Sequence, residues 1–300
     1  MRNYQRLFQR RLSRFHVFAG CCCLLFGLFA APLAASALTG RIVIAGYGPE
    51  QQVMQDLARA YEKLHPGTAI DVEWDRTVRA AEMVKTGEAH IAVTDRPDSS
   101  LDAVPLAWDG IAVITNFANP LTELTREQVQ KLFTGQVKRW SDLEGADQPV
   151  EIIARTGNDN LTAGFETSLG ITGRLVQSST TARSDQQALR LVSGRDAGVS
   201  YMSLGVALRA QEDGIPIRIL SIDGVEPGEP PVASGRYPLK RPVLLLTAIQ
   251  RDPLTASFLS FIQSTAGQLL IHSLYTPLGS SPIVISPSPA QSKDTSRPAT

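Results

Sequence analysis

Between residues 153 and 165 the chain reads Ile-Ala-Arg-Thr-Gly-Asn-Asp-Asn-Leu-Thr-Ala-Gly-Phe. The apolar run at 150–154 predicts a short buried strand that ends at Arg155. The apolar residues after the polar turn are spaced by four, which predicts a helix: Leu161, Phe165 and Leu169. A cation at a strand end and unpaired N–H groups at a helix start together favour an anion. Asp159, inside the turn, argues against an anion.

Alternating strands and helices precede this stretch. Residues 42–44, 69–74 and 91–93 are short β-prone runs, and the segments between them have helical spacing. The first of these helices, at 50–65, carries its apolar residues on one face and stops at Pro66-Gly67. Such alternation predicts parallel strands joined by helical crossovers, hence an α/β fold.

Polar turns follow three of these strands. They contain Tyr47 and Gly48, then Thr77, then Thr94 and Asp95. In an open parallel sheet, ligands bind beyond the carboxyl ends of the strands, so these turns are predicted to converge on one cleft. The alternative is that each is an ordinary solvated turn.

Later segments are predicted from caps and turn residues. Residues 125–128, Thr-Arg-Glu-Gln, form a capping-box pattern, and Ser184 is expected to cap another helix. Residues 224–235 are rich in Pro and Gly and predict a long connection. The pattern at 254–274 predicts one last helix.

The N-terminus has the pattern of an export signal. The first 37 residues contain five arginines and no acidic residue, with an apolar run at 17–35 before Ala35-Ser36-Ala37. We expect cleavage after Ala37 and a periplasmic location; an uncleaved membrane anchor is the alternative. All three cysteines lie at 21–23, so the rest of the chain contains neither a disulfide nor a thiol nucleophile. Residues 280–300 are predicted to be a disordered tail.

The charge balance of the chain indicates which kinds of partner it can bind. The chain has 29 basic and 29 acidic residues, and without its first 37 residues the net charge is −5. A nucleic-acid partner is therefore not expected, because such proteins present a basic face.

Several segments together resemble one family. They are Trp-Asp-Gly-Ile-Ala-Val at 108–113, the helix pattern at 124–135 followed by Trp140, Gly-Arg-Tyr-Pro-Leu-Lys-Arg-Pro at 235–242, and the closing segments at 258–268 and 275–278. They resemble the phosphate-binding proteins, periplasmic solute-binding proteins that feed a phosphate ABC transporter. The resemblance covers about residues 39–279.

The resemblance implies a two-lobe α/β fold of the type II periplasmic-binding-protein kind. Each lobe would be a mixed, mostly parallel sheet flanked by helices, with lobe one at 38–118 and 236–279 and lobe two at 119–235. It further implies hinge closure on a ligand between the lobes, and an ABC transporter's membrane subunits as partners.

Ligand residues follow from the resemblance one position at a time. The family's strand-end arginine falls on Arg155, and its proton-accepting acid on Asp95. A hydroxyl of its second loop falls near Thr77. Its first-loop hydroxyls fall on Tyr47 and Gly48, and its Ser-Gly-Thr turn falls on Asp159-Asn160-Leu161, which are departures. The candidate ligand residues are Tyr47, Gly48, Thr77, Thr94, Asp95, Arg155, Asn158, Asp159 and Asn160.

The acidic residues of these loops leave the identity of the ligand undecided. Two unit charges about 4 Å apart interact by roughly 4 kcal/mol at an effective dielectric of about 20, so Asp95 and Asp159 would oppose a dianion unless Asp159 caps its own helix. Phosphate or another oxyanion is the expected ligand. A different polar solute, including a cationic one, remains an alternative, as does a sensor or partner-binding module with a degenerate cleft.

An enzyme is the competing class. It would be a hydrolase using Asp95 and Asp159 as an acid/base pair. His65, His90 and His272 lack nearby groups at catalytic or metal-ligand spacing. No catalysis, cofactor or metal is predicted.

Overall fold

The computed structural model describes residues 38–75, 79–156 and 160–278. The predicted export signal, the predicted tail beyond residue 278, and Thr77, Asn158 and Asp159 lie outside these described residues.

Twelve strands and nine α-helices are formed by the described residues. The strands are β1 (Gly40–Gly46), β2 (Thr68–Trp74), β3 (Ile91–Thr94), β4 (Asp102–Asn116), β5 (Glu123–Leu124), β6 (Glu151–Arg155), β7 (Thr180–Ala182), β8 (Gly198–Ser203), β9 (Ile217–Ile219), β10 (Ser221–Ile222), β11 (Lys240–Thr247) and β12 (Thr276–Pro277). The helices are α1 (Gln51–Leu64), α2 (Ala80–Thr86), α3 (Arg126–Phe133), α4 (Asn160–Leu169), α5 (Asp185–Ser193), α6 (Leu204–Glu212), α7 (Glu229–Ala233), α8 (Pro253–Gln263) and α9 (Thr265–His272).

The main sheet is mixed and has the order β2-β1-β3-β11-β4-β8-β6-β7, with β9 and β12 also paired to β4. Its parallel pairs are β1 with β2 and β3, and β6 with β7 and β8. Strands β11 and β4 run antiparallel to their neighbours. The βαβ segments are therefore parallel, as the alternation predicts, and the two long strands between them reverse direction.

Strand β4 belongs to both halves of the molecule. Its first part, up to Gly110, pairs with β11, and its second part, from Ile111, pairs with β8 and β9. Eight successive residues at its end, from Asp109 to Asn116, are buried, so the strand runs through the middle of the protein.

Two large hydrophobic cores lie on either side of this strand. The first lobe packs α1, α8 and α9 on the sheet around Tyr61 and Phe258. The second lobe packs around Phe133, Phe165 and Tyr201, whose rings contact one another. The architecture is the predicted two-lobe α/β fold.

The predicted caps form. Thr125 Oγ1 accepts from the Gln128 N–H at 3.1 Å, while the Gln128 side chain accepts from the Thr125 N–H at 2.7 Å. Ser184 Oγ accepts from the Gln187 N–H at 3.2 Å and starts α5. These short-range bonds satisfy N–H groups that a helix start leaves unpaired.

The C-terminal helix prediction is wrong in one respect. Residues 254–274 form two helices, α8 and α9, bent by 63° at Ser264. Ser264 ends the first helix and caps the second, accepting from the Gly267 N–H at 3.3 Å. Among the described residues no single helix is long and apolar enough to span a membrane; only this bent pair, taken together, meets that length and composition.

Two further helices depart from the sequence expectation. The Pro/Gly-rich connection contains the short helix α7, which has proline in its first turn, where the missing N–H costs nothing. Helix α6 was not predicted. It follows β8 directly and packs on β4 and β9.

Candidate functional site

A cavity of about 580 Å³ opens where the strands of the two lobes end. It is bounded by the loop after β1, the end of β2, the end of β6 and the start of α5. Its lining residues are Tyr47, Gly48, Pro49, Gln51, Gln52, Gln55, Trp74, Asp75, Arg155, Thr156, Arg183, Ser184, Asp185, Gln186, Val206, Arg209 and Leu274. A position at the carboxyl ends of parallel strands is where α/β sheets bind ligands.

The loop after β1 forms one wall and crosses to the second lobe. The Tyr47 hydroxyl donates to the Thr156 carbonyl oxygen at 3.1 Å. Trp74 Nε1 donates to the Gly48 carbonyl oxygen at 2.9 Å, which ties the end of β2 to the same loop. Gly48 has φ +135°, a conformation that other residues rarely adopt.

Arg155, the cation predicted at the strand end, is in a buried ion pair. Its Nη1 donates to Asp185 Oδ1 at 2.5 Å, and the two side chains are only 3% and 5% exposed. Asp185 is the first residue of α5, which Ser184 caps, so the helix start fixes the carboxylate. The pair holds the guanidinium at the cavity wall and balances its charge within the protein.

The other described candidates lie at the contact between β3 and α4. Asn160, the first residue of α4, donates from Nδ2 to the Val93 carbonyl oxygen at 3.3 Å. Thr94 Oγ1 accepts from the Arg96 N–H at 3.2 Å. The Asp95 side chain is 7% exposed, with Arg96 Nε 3.7 Å from its Oδ1. Thr94, Asp95 and Asn160 are not part of the cavity lining, whereas Tyr47, Gly48 and Arg155 are.

A buried charge cluster that the sequence reasoning missed lies at the junction of the lobes. Arg241 on β11 donates from Nε and Nη2 to Asp109 Oδ2 on β4, at 3.1 and 2.7 Å. Its Nη2 also donates to Glu50 Oε1 at the start of α1. Ser203 Oγ donates to Asp109 Oδ1 at 2.7 Å. Glu50, Asp109 and Arg241 are all within 1% of complete burial.

Burial dominates the electrostatics of this cluster. It raises the pKa of Glu50 to about 7, even though Arg241 favours the charged carboxylate. Burial likewise raises the pKa of Asp109. For Arg241 burial acts against the charge, but the two carboxylates outweigh it and hold its pKa well above the usual value. Charged residues inside apolar strand patterns, Asp109 before 111–114 and Arg241 before 243–246, were the signal available in the sequence.

The described histidines have structural contacts. His90 Nδ1 accepts from the Val43 N–H at 3.0 Å, and His272 faces Glu229 at 3.5 Å near the surface. His65 stacks on Tyr61. No group of three or more metal-ligating side chains occurs within 38–75, 79–156 and 160–278. The arrangement offers cationic, amide and hydroxyl groups around a cavity, which is suited to holding a polar solute.

Comparison with known proteins defines the class. The family model described as "PBP superfamily domain" matches residues 33–266. The match covers most of the chain, and the chain therefore belongs to the PBP superfamily.

Individual relatives are phosphate-binding proteins by name. The chain is 23% identical over 234 residues to the "Phosphate-binding protein PstS" of Bacillus subtilis (strain 168), covering 75% of this chain and 76% of that protein. The structure of an ABC-type phosphate transport receptor from Vibrio cholerae matches with a TM-score of 0.70 and 26% identity, over 79% of this chain and all of that chain. A putative phosphate ABC transporter substrate-binding protein with bound phosphate from Clostridium perfringens matches with a TM-score of 0.71 and 23% identity, over 80% and 100% of the two chains.

Proposed function

We propose that this chain is an exported solute-binding protein of the phosphate ABC transporter type, and that it binds phosphate or a related small polar anion between its lobes. The observation that carries the proposal is the cavity of about 580 Å³ walled by both lobes, in a fold shared with phosphate receptors. The names of its relatives support the same ligand class and the role of binding rather than catalysis.

The cavity lining supports an anionic ligand. Three arginines contribute to it, Arg155, Arg183 and Arg209, against the carboxylates of Asp75 and Asp185. Because Arg155 is balanced by Asp185, the exposed Arg183 is the cation through which a bound anion is expected to gain most. Charge-assisted hydrogen bonds from arginine suit a planar or tetrahedral oxyanion.

The lobe boundaries and partners complete the proposal. Residues 38–118 and 236–279 form lobe one and residues 119–235 lobe two. Residues 1–37 act as the export signal. The partners are the small-molecule ligand and the membrane subunits of an ABC transporter, and the location is the periplasm. Closure of the lobes on the ligand would present one combined surface to the transporter.

A second candidate function is a sensor or partner-binding module whose cleft no longer holds an anion. The internal pairing of both arginines at the lobe junction favours it, since Arg155 faces Asp185 and Arg241 faces Glu50 and Asp109.

Calorimetry of the purified chain with phosphate, sulfate and molybdate tests the proposal. We expect micromolar phosphate binding that weakens at least tenfold in Arg183→Ala. Arg190→Ala is the matched control, because Arg190 is also exposed and lies on the adjoining helix α5, but outside the cavity lining. No binding of any oxyanion at millimolar concentration would reject the transport function and favour the second candidate.

A further inference from the structure

The carboxylate of Glu50 is fully buried and has no role in the proposed function. It precedes α1 as the N-cap residue, but its side chain makes no capping bond. Instead, Oε1 accepts from Arg241, and Oε2 has no hydrogen-bond partner among the described residues. Burying a carboxylate oxygen without a hydrogen-bond donor lowers the stability of the folded state. Such a group in a folded protein is therefore a candidate for a functional role.

Glu50 lies next to two of the candidate ligand residues, Gly48 and Asn160. A Cβ placed on Gly48 would be 2.7 Å from Glu50 Oε2 and 3.8 Å from Asn160 Cβ. Asn160 in turn contacts the end of β3, two residues before Asp95. The carboxylate therefore lies beneath the loop after β1, next to the start of α4. This is where the sequence predicts the anion.

Arg241 gives this position its positive charge. It is 1% exposed, and Asp109 already neutralises it. The carboxylate of Glu50 is a second anion beside Arg241, so the three ionised side chains together carry a net negative charge. An external oxyanion would add a further negative charge at a desolvated site, where repulsion between like charges is strong.

We propose that Glu50 is a specificity determinant of the cleft: its carboxylate takes the position of a ligand's anionic group beside Arg241 and excludes doubly charged oxyanions from it. Glu50 is outside the cavity lining but adjoins Gly48, which is part of it. This inference rests on the proposed function, because it concerns which anions that cavity admits. Divalent oxyanions enter only when Glu50 carries a proton.

The charged and titratable groups around Glu50 support a dependence on pH. Arg241 faces it from β11 and Asp109 acts on it from β4. Asp95 interacts electrostatically with Arg241, and Asp185 with Asp109. Tyr275 is close enough to the cluster to interact electrostatically with all three of its charged residues. Burial raises the pKa of Glu50 to about 7, so its charge changes near neutral pH.

The test uses sulfate as the probe, because sulfate keeps both charges from pH 5.5 to pH 8 while phosphate itself titrates. We expect the full chain to bind sulfate at least tenfold more tightly at pH 5.5 than at pH 8. Glu50→Gln should bind at pH 8 at least tenfold more tightly than the parent and lose most of the pH dependence. Glu73→Gln, which removes an exposed carboxylate outside the cavity lining, should behave like the parent.

A second variant protects the test against a folding defect. Glu50→Ala opens space beside Arg241, and millimolar sulfate should raise its Tm saturably and by several degrees more than that of the parent at pH 8.

Each outcome separates this inference from the proposed function. Tight phosphate binding by the parent, with no gain in either Glu50 variant, would overturn the role of Glu50 and leave the transport function standing. Oxyanion binding only by the variants would support the role of Glu50 and reject phosphate as the parent's ligand. No binding by any form at either pH would overturn both.

Discussion

The Tyr47 hydroxyl donates a hydrogen bond of 3.1 Å to the Thr156 carbonyl oxygen, across 109 residues of sequence. Tyr47 follows the first strand of the first lobe, and Thr156 follows β6 in the second lobe. The bond therefore closes the cavity wall between the lobes.

Tyr47→Phe is expected to lower the free energy of unfolding by about 1 kcal/mol, the usual net value of such a hydrogen bond. It should also let the lobes separate, which increases the radius of gyration in small-angle X-ray scattering. Tyr61→Phe is the control, since the Tyr61 hydroxyl bonds Ser257 at 2.9 Å within the first lobe. An equal increase in radius in both variants would contradict a lobe-crossing role for Tyr47.

Arg155→Ala is expected to cost about 3–5 kcal/mol in urea unfolding, because it leaves the Asp185 carboxylate buried without its guanidinium. Arg139→Ala removes an arginine whose pair with Asp147, at 2.8 Å, is 46% and 79% exposed. That control should cost less than about 1 kcal/mol. Similar losses of unfolding free energy in the two variants would show that the Arg155–Asp185 pair contributes no more than an exposed ion pair.

Glu50 makes stability depend on pH. A carboxyl whose pKa is raised on folding, here from the usual 4.5 to about 7, binds its proton more tightly in the folded state. Its contribution is complete below pH 4.5 and is lost as the pH rises through 7. The loss is about 3 kcal/mol, at 1.36 kcal/mol per pKa unit.

Glu50→Gln should remove this part of the pH dependence. Unfolding free energies of the parent and the variant, measured from pH 4.5 to pH 8, should diverge by about that amount, with the variant relatively more stable at high pH. Parallel curves would show that Glu50 does not titrate in this range. Glu73→Gln serves as the control for removal of a carboxylate.

Gly164→Ala tests the close packing of α4 on β11. A Cβ at this helix position would be 2.8 Å from Arg241 Cβ and 3.1 Å from Cγ, so the arginine stem would have to move. We expect a loss of about 1–3 kcal/mol in thermal or urea unfolding, despite the better helix propensity of alanine. Gly194→Ala, whose Cβ would meet only the Arg190 carbonyl oxygen at 3.3 Å, should change stability little.

Elements with local signals could be predicted. The apolar face at 50–65 became α1 at Gln51–Leu64, and the caps at Thr125 and Ser184 formed as expected. Elements that depend on neighbours were missed or misjudged. Helix α6 owes its position to packing on β4 and β9, and the bend at Ser264 comes with a cap inside an otherwise continuous apolar pattern.

The same distinction between local signals and long-range contacts applies to the candidate site. The strand-end position of Arg155 followed from an apolar run and a polar turn, but its partner Asp185 is 30 residues away and no spacing rule links them. Glu50 and Arg241 are 191 residues apart. Nothing local distinguishes Glu50 from an ordinary surface residue at a helix start, because its burial beside Arg241 is a property of the assembled chain.

The sequence by itself determined the α/β alternation, the helix caps and the position of Arg155 at a strand end, because periodicity, turn chemistry and capping act over a few residues. Only the tertiary structure decided which charged side chains meet. It pairs Arg155 with Asp185, and Arg241 with Asp109 and Glu50, because the energy of a buried charge depends on its desolvation and on partners brought together from distant parts of the chain.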